Sequence, residues 1–545
     1  MILDLEKGNG SAAPSDFEVC VIGAGAAGIT LATDLARRGI RTLLLEAGGR
    51  SYEARSQNLY VGETGDELTY NGLYDGRFRI LGGSTTQWAG QILEIDDFIF
   101  RDRPWVRGSG WPFAKSELVS YYKRAADQAG LAGAPRNAEE IWRLLGLQQP
   151  LFGPDLQSAF SDFSLKTNFA ELYGGAIESD PNLTAYLHAN ACEFVVGDDG
   201  TTISGVRCRT FGGYQAIFRA GFFVLCAGGI ESCRFLLQPN ADGTAAPWNR
   251  RGMVGRHFQD HLLCYAADVE SAKLPDIYLD FFAVNGYRFQ QKMKLAAAAQ
   301  KRLHTLDIAG FITYFTGGYD DMSKAYETVR WIRTRRYEKL SVPRLVHLAA
   351  NFHKLVWHKV PYSKSLQPIG WSSRKKLKLN VNCEQDPLSE GRITLSSQRD
   401  ELGAFRAKVD WRSSEQELHT VREYVDVVRE MFERNGLGRI IPVPSLYSNQ
   451  MEYLSTIRDS FHHIGGTRMA TSEANGVVDP DLKIFGTRNG YVCSTSVFPC
   501  AGFANPTHTL IALALRLSDH LQRSIVDQQR PRTIGGAVRQ ATPSV

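Results

Sequence analysis

Three short stretches of this 545-residue chain carry side chains whose types and spacing do chemistry. The first, VCVIGAGAAG, sets Gly23, Gly25 and Gly28 after an apolar run and ahead of a helical pattern. A first glycine allows the tight turn, a second lets backbone approach a pyrophosphate, and a third lets helix pack on strand. The helix N-terminus then faces the phosphate charge. Glu46 ends the next apolar run, 18 residues beyond Gly28, where an acid binds the ribose hydroxyls of adenosine. Together they imply a dinucleotide cradle, with FAD and NAD both open.

The second stretch is DSFHHIGGTRM, Asp459 to Met469, and the third is GFANPTHTL, Gly502 to Leu510. An imidazole with an ordinary pKa of about 6.5 suits proton transfer near neutral pH. Side chains adjacent in an extended segment point to opposite faces, so one pocket receives one of the two rings. The amide of Asn505 suits support of a developing alkoxide. It also suits capping of the helix that begins at Pro506. A metal site is disfavoured, because HH lacks helical ligand spacing and no cysteine stands near it. His257 and His261 in HFQDH have i, i+4 spacing but lack a zincin glutamate, which points to packing.

These stretches must be brought together by the elements around them. A strand at Phe17–Ile22, a helix running to Arg38 and a strand at Thr42–Leu45 read as the start of a βαβ unit. A loop enters a helix near Ser116, and residues 183–226 read as short strands with hairpin signals at 198–200 and 211–213. Residues 266–444 differ in texture and end in the long helical segment EQELHTVREYVDVVREMFERNG. The organisation expected is a discontinuous FAD-binding domain, 17–265 and 445–525, and a substrate-binding domain, 266–444. A flexible arm, 1–16, and a flexible tail, 526–545, complete it.

Composition narrows the classes. A net charge of +4 on 60.6 kDa calls for no polyanionic partner, which sets nucleic acid aside. No apolar run reaches the 18 or so residues of a membrane span, and the N-terminus lacks a secretory h-region. Nine cysteines without CxxC argue against a disulfide framework, a zinc ribbon or attached haem, and for a reducing cytoplasm. The basic, amphipathic stretch 330–360 has two readings: a solvated face, or a docking face for a membrane or an electron-accepting partner.

RFRILGGSTTQWAG (77–90) resembles the flavin-side loop of the glucose–methanol–choline (GMC) oxidoreductases, FAD enzymes that oxidise alcohols. The likeness is strongest to the bacterial sugar- and polyol-oxidising group related to pyranose oxidase. It extends to VLCAGGIESCRFLL (224–237), GRHFQDH (255–261), EQDPLSEGRITL (384–395), DSFHHIGGTRM and STSVFPCAGFANPTHTLIALALRLSDHL, and is weakest over 266–375. The resemblance implies an α/β fold: a Rossmann-like FAD-binding domain with an inserted α+β substrate domain on an antiparallel sheet. It implies FAD contacts from Gly23, Gly25, Ala26, Ala27, Gly28, Glu46, Ala47, Gly82, Gly83, Ser84, Gln87, Trp88, Ala89, Ala191, Cys192, Ala227, Gly228, Ser496, Asn505, Pro506 and Thr507. Gln87 stands where some members attach FAD through a histidine, so the FAD is expected to be non-covalent. The family pattern H-x-x-G-T falls on His463, making it the expected base with Asn505 as partner, and leaves His462 outside. His508, where relatives carry leucine, has two readings: a contact to substrate or flavin, or, as the favoured one, a buried, hydrogen-bonded residue. The activity implied is oxidation of a hydroxyl on a sugar, glycoside or polyol, with hydride passing to flavin N5. Oxygen, a quinone or a redox protein would take the electrons. The rival reading is a hydroxynitrile-lyase-like enzyme with structural FAD.

Overall fold

The computed structural model describes residues 1–529 except 9–16, 66–67, 69, 136, 165, 241–245, 272–273, 275–280, 285, 316–323, 326–327, 330, 333–336, 338–339 and 360–375. FEVCVI is apolar on both faces, the composition of a central parallel strand, and Phe17–Ile22 is that strand. It lies in a six-stranded, wholly parallel sheet ordered Ile2–Asp4, Leu183–Leu187, Thr42–Leu45, Phe17–Ile22, Ala220–Leu225, Gly490–Val492. Segments almost five hundred residues apart in sequence therefore share one sheet. Helix Ala26–Arg37 leaves the central strand through the glycine turn and packs against the last helix, Thr507–Gln529. That contact carries Asn505 to the mouth of GAGAAG.

An eight-stranded antiparallel sheet forms the second half. Its strands Leu262–Glu270, Tyr287–Leu295, Ile308–Phe315 and Lys376–Cys383 bury alternate residues beneath helix Glu415–Arg434. Ser414 opens that helix with a capping box closed by Glu417. The opposite face carries Ser161, Gln290, Lys292, Phe311, Asn380 and Asn382, because successive residues of a strand alternate between faces. Lys292 Nζ lies 5.7 Å from the ring of Phe503, so this face looks toward the loop that precedes Asn505.

Three expected boundaries move. The sheet also takes in Gln91–Ile92 and Leu156–Phe163, so the second half does not begin at 266. Antiparallel pairing with Tyr287–Leu295 recruits these strands across sequence. The expected arm contributes the edge strand Ile2–Asp4, paired with Leu183–Leu187, while 9–16 lie outside the described residues. The last helix continues to Gln529, past the expected start of the tail at 526, and 530–545 lie outside the described residues. Among the described residues, no helix is long and apolar enough to cross a membrane.

The loop 500–505 is gripped from the antiparallel sheet by buried acids. Glu384 accepts from Gly502 N at 3.2 Å and Asp307 from Phe503 N at 3.2 Å. Arg103 meets Glu384 with two nitrogens, at 2.7 and 2.8 Å, and both side chains are almost wholly buried. Removing one member of such a pair leaves an uncompensated charge in low dielectric. Glu384→Ala is expected to cost about 3–5 kcal/mol of stability, read as a lowered denaturation midpoint. Glu384→Gln, which still accepts from Gly502, should cost less. An unchanged midpoint in Glu384→Ala would remove the loop's grip from this account.

Candidate active site

A cavity of about 510 Å³ opens where the two halves meet. Its floor is three glycine turns in mutual contact. Gly23 sits at φ +103°, and a Cβ on Gly28 would stand 1.8 Å from Gly23 O, so only glycine allows the helix to start there. Gly82 N donates to Ala24 O, and a Cβ on Gly83 would come within 3.0 Å of Gly25 Cα, which seats the second turn on the first. By contrast, a Cβ on Gly25 or Gly228 would meet nothing within 4 Å, because both face open cavity. Glu46 accepts from Ala24 N and Gly48 N, each at 2.9 Å, and burial raises its pKa against those hydrogen bonds and Arg79.

Arginines add positive charge to the wall. Arg77 and Arg79 approach Glu231 at 3.2 and 3.4 Å, and Arg77 stacks 3.8 Å from the centroid of the Tyr60 ring. Burial pushes Glu231 up, but Arg234, Arg79 and Arg77 together hold it down to about 2. Arg79 Nε is buried with no hydrogen-bond partner. Bare backbone at two glycine turns, a buried acid and an unpartnered guanidinium N–H fit the diphosphate and ribose of FAD.

Most of the expected cofactor residues line this space: Gly23, Gly25, Ala26, Ala27, Glu46, Ala47, Gly83, Ser84, Gln87, Trp88, Ala89, Ala191, Ala227, Gly228, Asn505, Pro506 and Thr507. Four stand behind it. Gly28 serves helix packing and Gly82 the turn, at φ +96°. Cys192 borders a separate, smaller pocket with Arg234 and Asp400. Ser496 bonds to Thr467 and Ser494, each at 2.6 Å, within the wall. Tyr60, Arg77, Arg79, Glu231, Phe461 and Thr495 line the cavity without having been expected there. Only the arginines of RFRILGG gave a hint, as cations beside a phosphate-binding motif.

The histidine register differs from the expected one. Asn505 Nδ2 lies 3.2 Å from Nε2 of His462, not of His463. The chain is not extended here: Phe461 sits at φ +59°, and Asp260 Oδ1 accepts from both Ser460 N (3.2 Å) and His462 N (3.0 Å). That turn defeats the alternation argument and brings both rings to the cavity wall. His463 is buried against Tyr70 and Gly72, and its carbonyl accepts from Thr495 Oγ1. His462 is held from behind by His261, Nδ1 to Nδ1 at 2.8 Å. With the Asn505 amide donating to Nε2, the ring proton of His462 sits on Nδ1 and is donated to His261. Burial lowers all three imidazoles: His462 well below its ordinary value, His463 to about 3 and His261 to about 4. His462 is thus neutral with Nε2 as acceptor, the form a base requires.

The capping reading of Asn505 does not fit, because its Oδ1 is buried and makes no hydrogen bond. His508 is buried, with Nε2 3.2 Å from Tyr122 O, the packing role expected. His257 and His261 lie on an irregular loop rather than a helix, and His257 bonds to Ser389 O. Among the described residues, no cluster of His, Cys, Asp or Glu could hold a metal ion.

A profile described as GMC oxidoreductase matches residues 387–514, and one described as an NAD(P)-binding Rossmann-like domain matches 21–69. Oxygen-dependent choline dehydrogenase 1 of Chromohalobacter salexigens is 23% identical, over 93% of this chain and 95% of its own. 6'''-hydroxyparomomycin C oxidase of Streptomyces lividus is 22% identical, over 92% and 90%. Among solved structures, pyridoxine 4-oxidase from Mesorbium loti superposes with a TM-score of 0.57 at 17% identity, covering 93% of this chain and 99% of that one. With its glycine cradle, its C-terminal histidine and asparagine motifs and these matches, the chain belongs to the GMC oxidoreductases and is an FAD-dependent alcohol oxidoreductase.

Proposed function

We propose that the enzyme oxidises a hydroxyl of a sugar, glycoside or related polyol, with His462 as the base and Asn505 as its partner. The observation that carries this reading is the 3.2 Å contact between Asn505 Nδ2 and His462 Nε2 at the cavity wall. Hydride acceptance from the carbinol carbon is the chemistry that bound FAD supplies. His462 Nε2 takes the hydroxyl proton, and His261 steadies the imidazolium through Nδ1. Asn505 donates to the oxygen as its charge develops. The polar face of the antiparallel sheet supports a polyhydroxylated substrate. Gln91, on the cavity wall, donates to Ser161 Oγ and Gln290 Oε1, and Asn382 Oδ1 is buried without a partner. A relative named for a hydroxyparomomycin supports the same substrate class. Oxygen, a quinone or a redox protein reoxidises the flavin. Nine cysteines, all unpaired, suit a reducing cytoplasm.

Anaerobic bleaching of the flavin by a panel of sugars, glycosides, polyols and simple alcohols tests the reading. Bleaching by simple alcohols alone would refute the sugar class. His462→Ala should keep bound FAD and slow that reduction by ~10²-fold or more. His463→Ala should slow it less than about tenfold, since that ring does not meet Asn505. The reverse ranking would return the base to His463.

The pH dependence has a definite sign. A base works when unprotonated, and burial lowers the pKa of His462 below 6.5. Flavin reduction should therefore stay level as pH falls from 7.5 through 6.5, and decline only in more acidic solution. A decline centred at 6.5 or above would contradict the buried, neutral ring. Because Gln87 offers no ring nitrogen for a covalent link, acid precipitation should release yellow flavin to the supernatant. A yellow pellet would show that the link exists.

A further inference from the structure

A long connection leaves the antiparallel sheet between two neighbouring, consecutive strands. Strands Ile308–Phe315 and Lys376–Cys383 are direct neighbours, in register from Ile308↔Cys383 to Phe315↔Lys376. Residues 316–375 thus connect two adjacent strands, where a loop of two to five residues suffices. They leave from the end of the sheet opposite Asp307 and Glu384, the acids that grip the catalytic loop. An insertion so placed serves something other than holding the active site together.

Its described helix, Val342–Lys359, shows what that is. Val342, Leu345, Val346 and Ala349 recur at i, i+3, i+4 and i+7, the spacing of an apolar helix face that is normally buried. Here all four are exposed, Val342 at 74% and Val346 at 63%, and Phe352 at 57% extends the face. The inner side of the helix is more polar, with His347 half-buried and Asn351 buried. Ile332 and Tyr337 add exposed apolar surface just before the helix. Charge is as local as apolarity. The helix carries Arg344, Lys354 and Lys359 and no acid. Residues 330–360 hold eight Lys and Arg against one Glu, a local +7 in a chain whose total is +4.

We propose that this helix docks the enzyme onto an anionic lipid surface. An exposed aliphatic stripe on a helix without acids, within a segment rich in Lys and Arg, is the composition of a helix lying in the plane of an interface, with apolar side chains at the acyl boundary and cations among the headgroups. A second copy of the chain fits less well, because it would bring like charge against like. The docking is independent of the substrate reading.

The test is flotation of the purified, FAD-loaded protein with phosphatidylcholine vesicles and with vesicles containing phosphatidylglycerol. The protein should float with the anionic vesicles, bind neutral ones at least about tenfold more weakly, and be released by high salt. The combined variant Leu345→Glu, Val346→Glu, Phe352→Glu should stay in solution with an unchanged melting midpoint and unchanged anaerobic flavin reduction. Absence of flotation on anionic vesicles overturns the proposal, and so does equal binding to neutral vesicles. Continued flotation of the variant also overturns it. A protein that ignores vesicles but is a dimer, and that the variant turns into a monomer, would assign the stripe to a second copy.

Discussion

The rest of the molecule depends on backbone coming closer to backbone than side chains allow. Gly23 and Gly28 meet their neighbours at distances no Cβ tolerates, and Gly25 and Gly228 leave bare peptide facing the cavity. A dinucleotide site needs both conditions: a helix start tight against its strand, and peptide N–H groups within reach of phosphate. The parallel sheet exists to hold these turns side by side, which is why its strands come from residues 2 to 492.

The chemical end of the cavity follows a different rule. Its rings are neutral because they are buried, and their geometry comes from acids that do not reach the cavity. Asp260 folds the turn that aims His462, and burial with Asp459 nearby pushes that carboxyl up to about 8. Glu384 and Asp307, beside the neighbouring strands of the same sheet, fix the peptide before Asn505. Both partners of the contact between His462 and Asn505 are thus anchored by buried acids at one end of the antiparallel sheet, where Leu262 and Ile308 both pair with Cys383. A small shift of that sheet against the glycine turns would move both side chains together relative to the cavity, so the interface between the halves belongs to the active site.

The two sheets divide the labour by the composition of their faces. The antiparallel sheet turns its apolar side to helix Glu415–Arg434 and its polar side toward the loop before Asn505. Only the first of these builds core. The second holds amides, hydroxyls and a lysine at low dielectric, a costly arrangement unless hydrogen-bonding groups complete it. Gln91, Gln290 and Ser161 already satisfy one another in this way.

Local rules were enough for much of this. The strand Phe17–Ile22, the helix after GAGAAG, the acid at Glu46 and the long helix that ends near Arg434 follow from periodicity and glycine spacing, which act over a few residues. Motif order was enough for the family and for the position of Asn505. The choice between His462 and His463 was not legible, because it turns on one positive φ at Phe461 and a carboxylate two hundred residues away. Nor were His261 behind His462, the recruitment of Leu156–Phe163 into the second sheet, or the arginine wall around Glu231. Each depends on which distant segments pack together. The sequence by itself determined a dinucleotide site, since glycine spacing declares that locally, and its motif order carried the resemblance that implies the reaction; the tertiary structure alone decided which ring meets the amide, because that register is set by the turn at Phe461 and by Asp260, two hundred residues away in sequence.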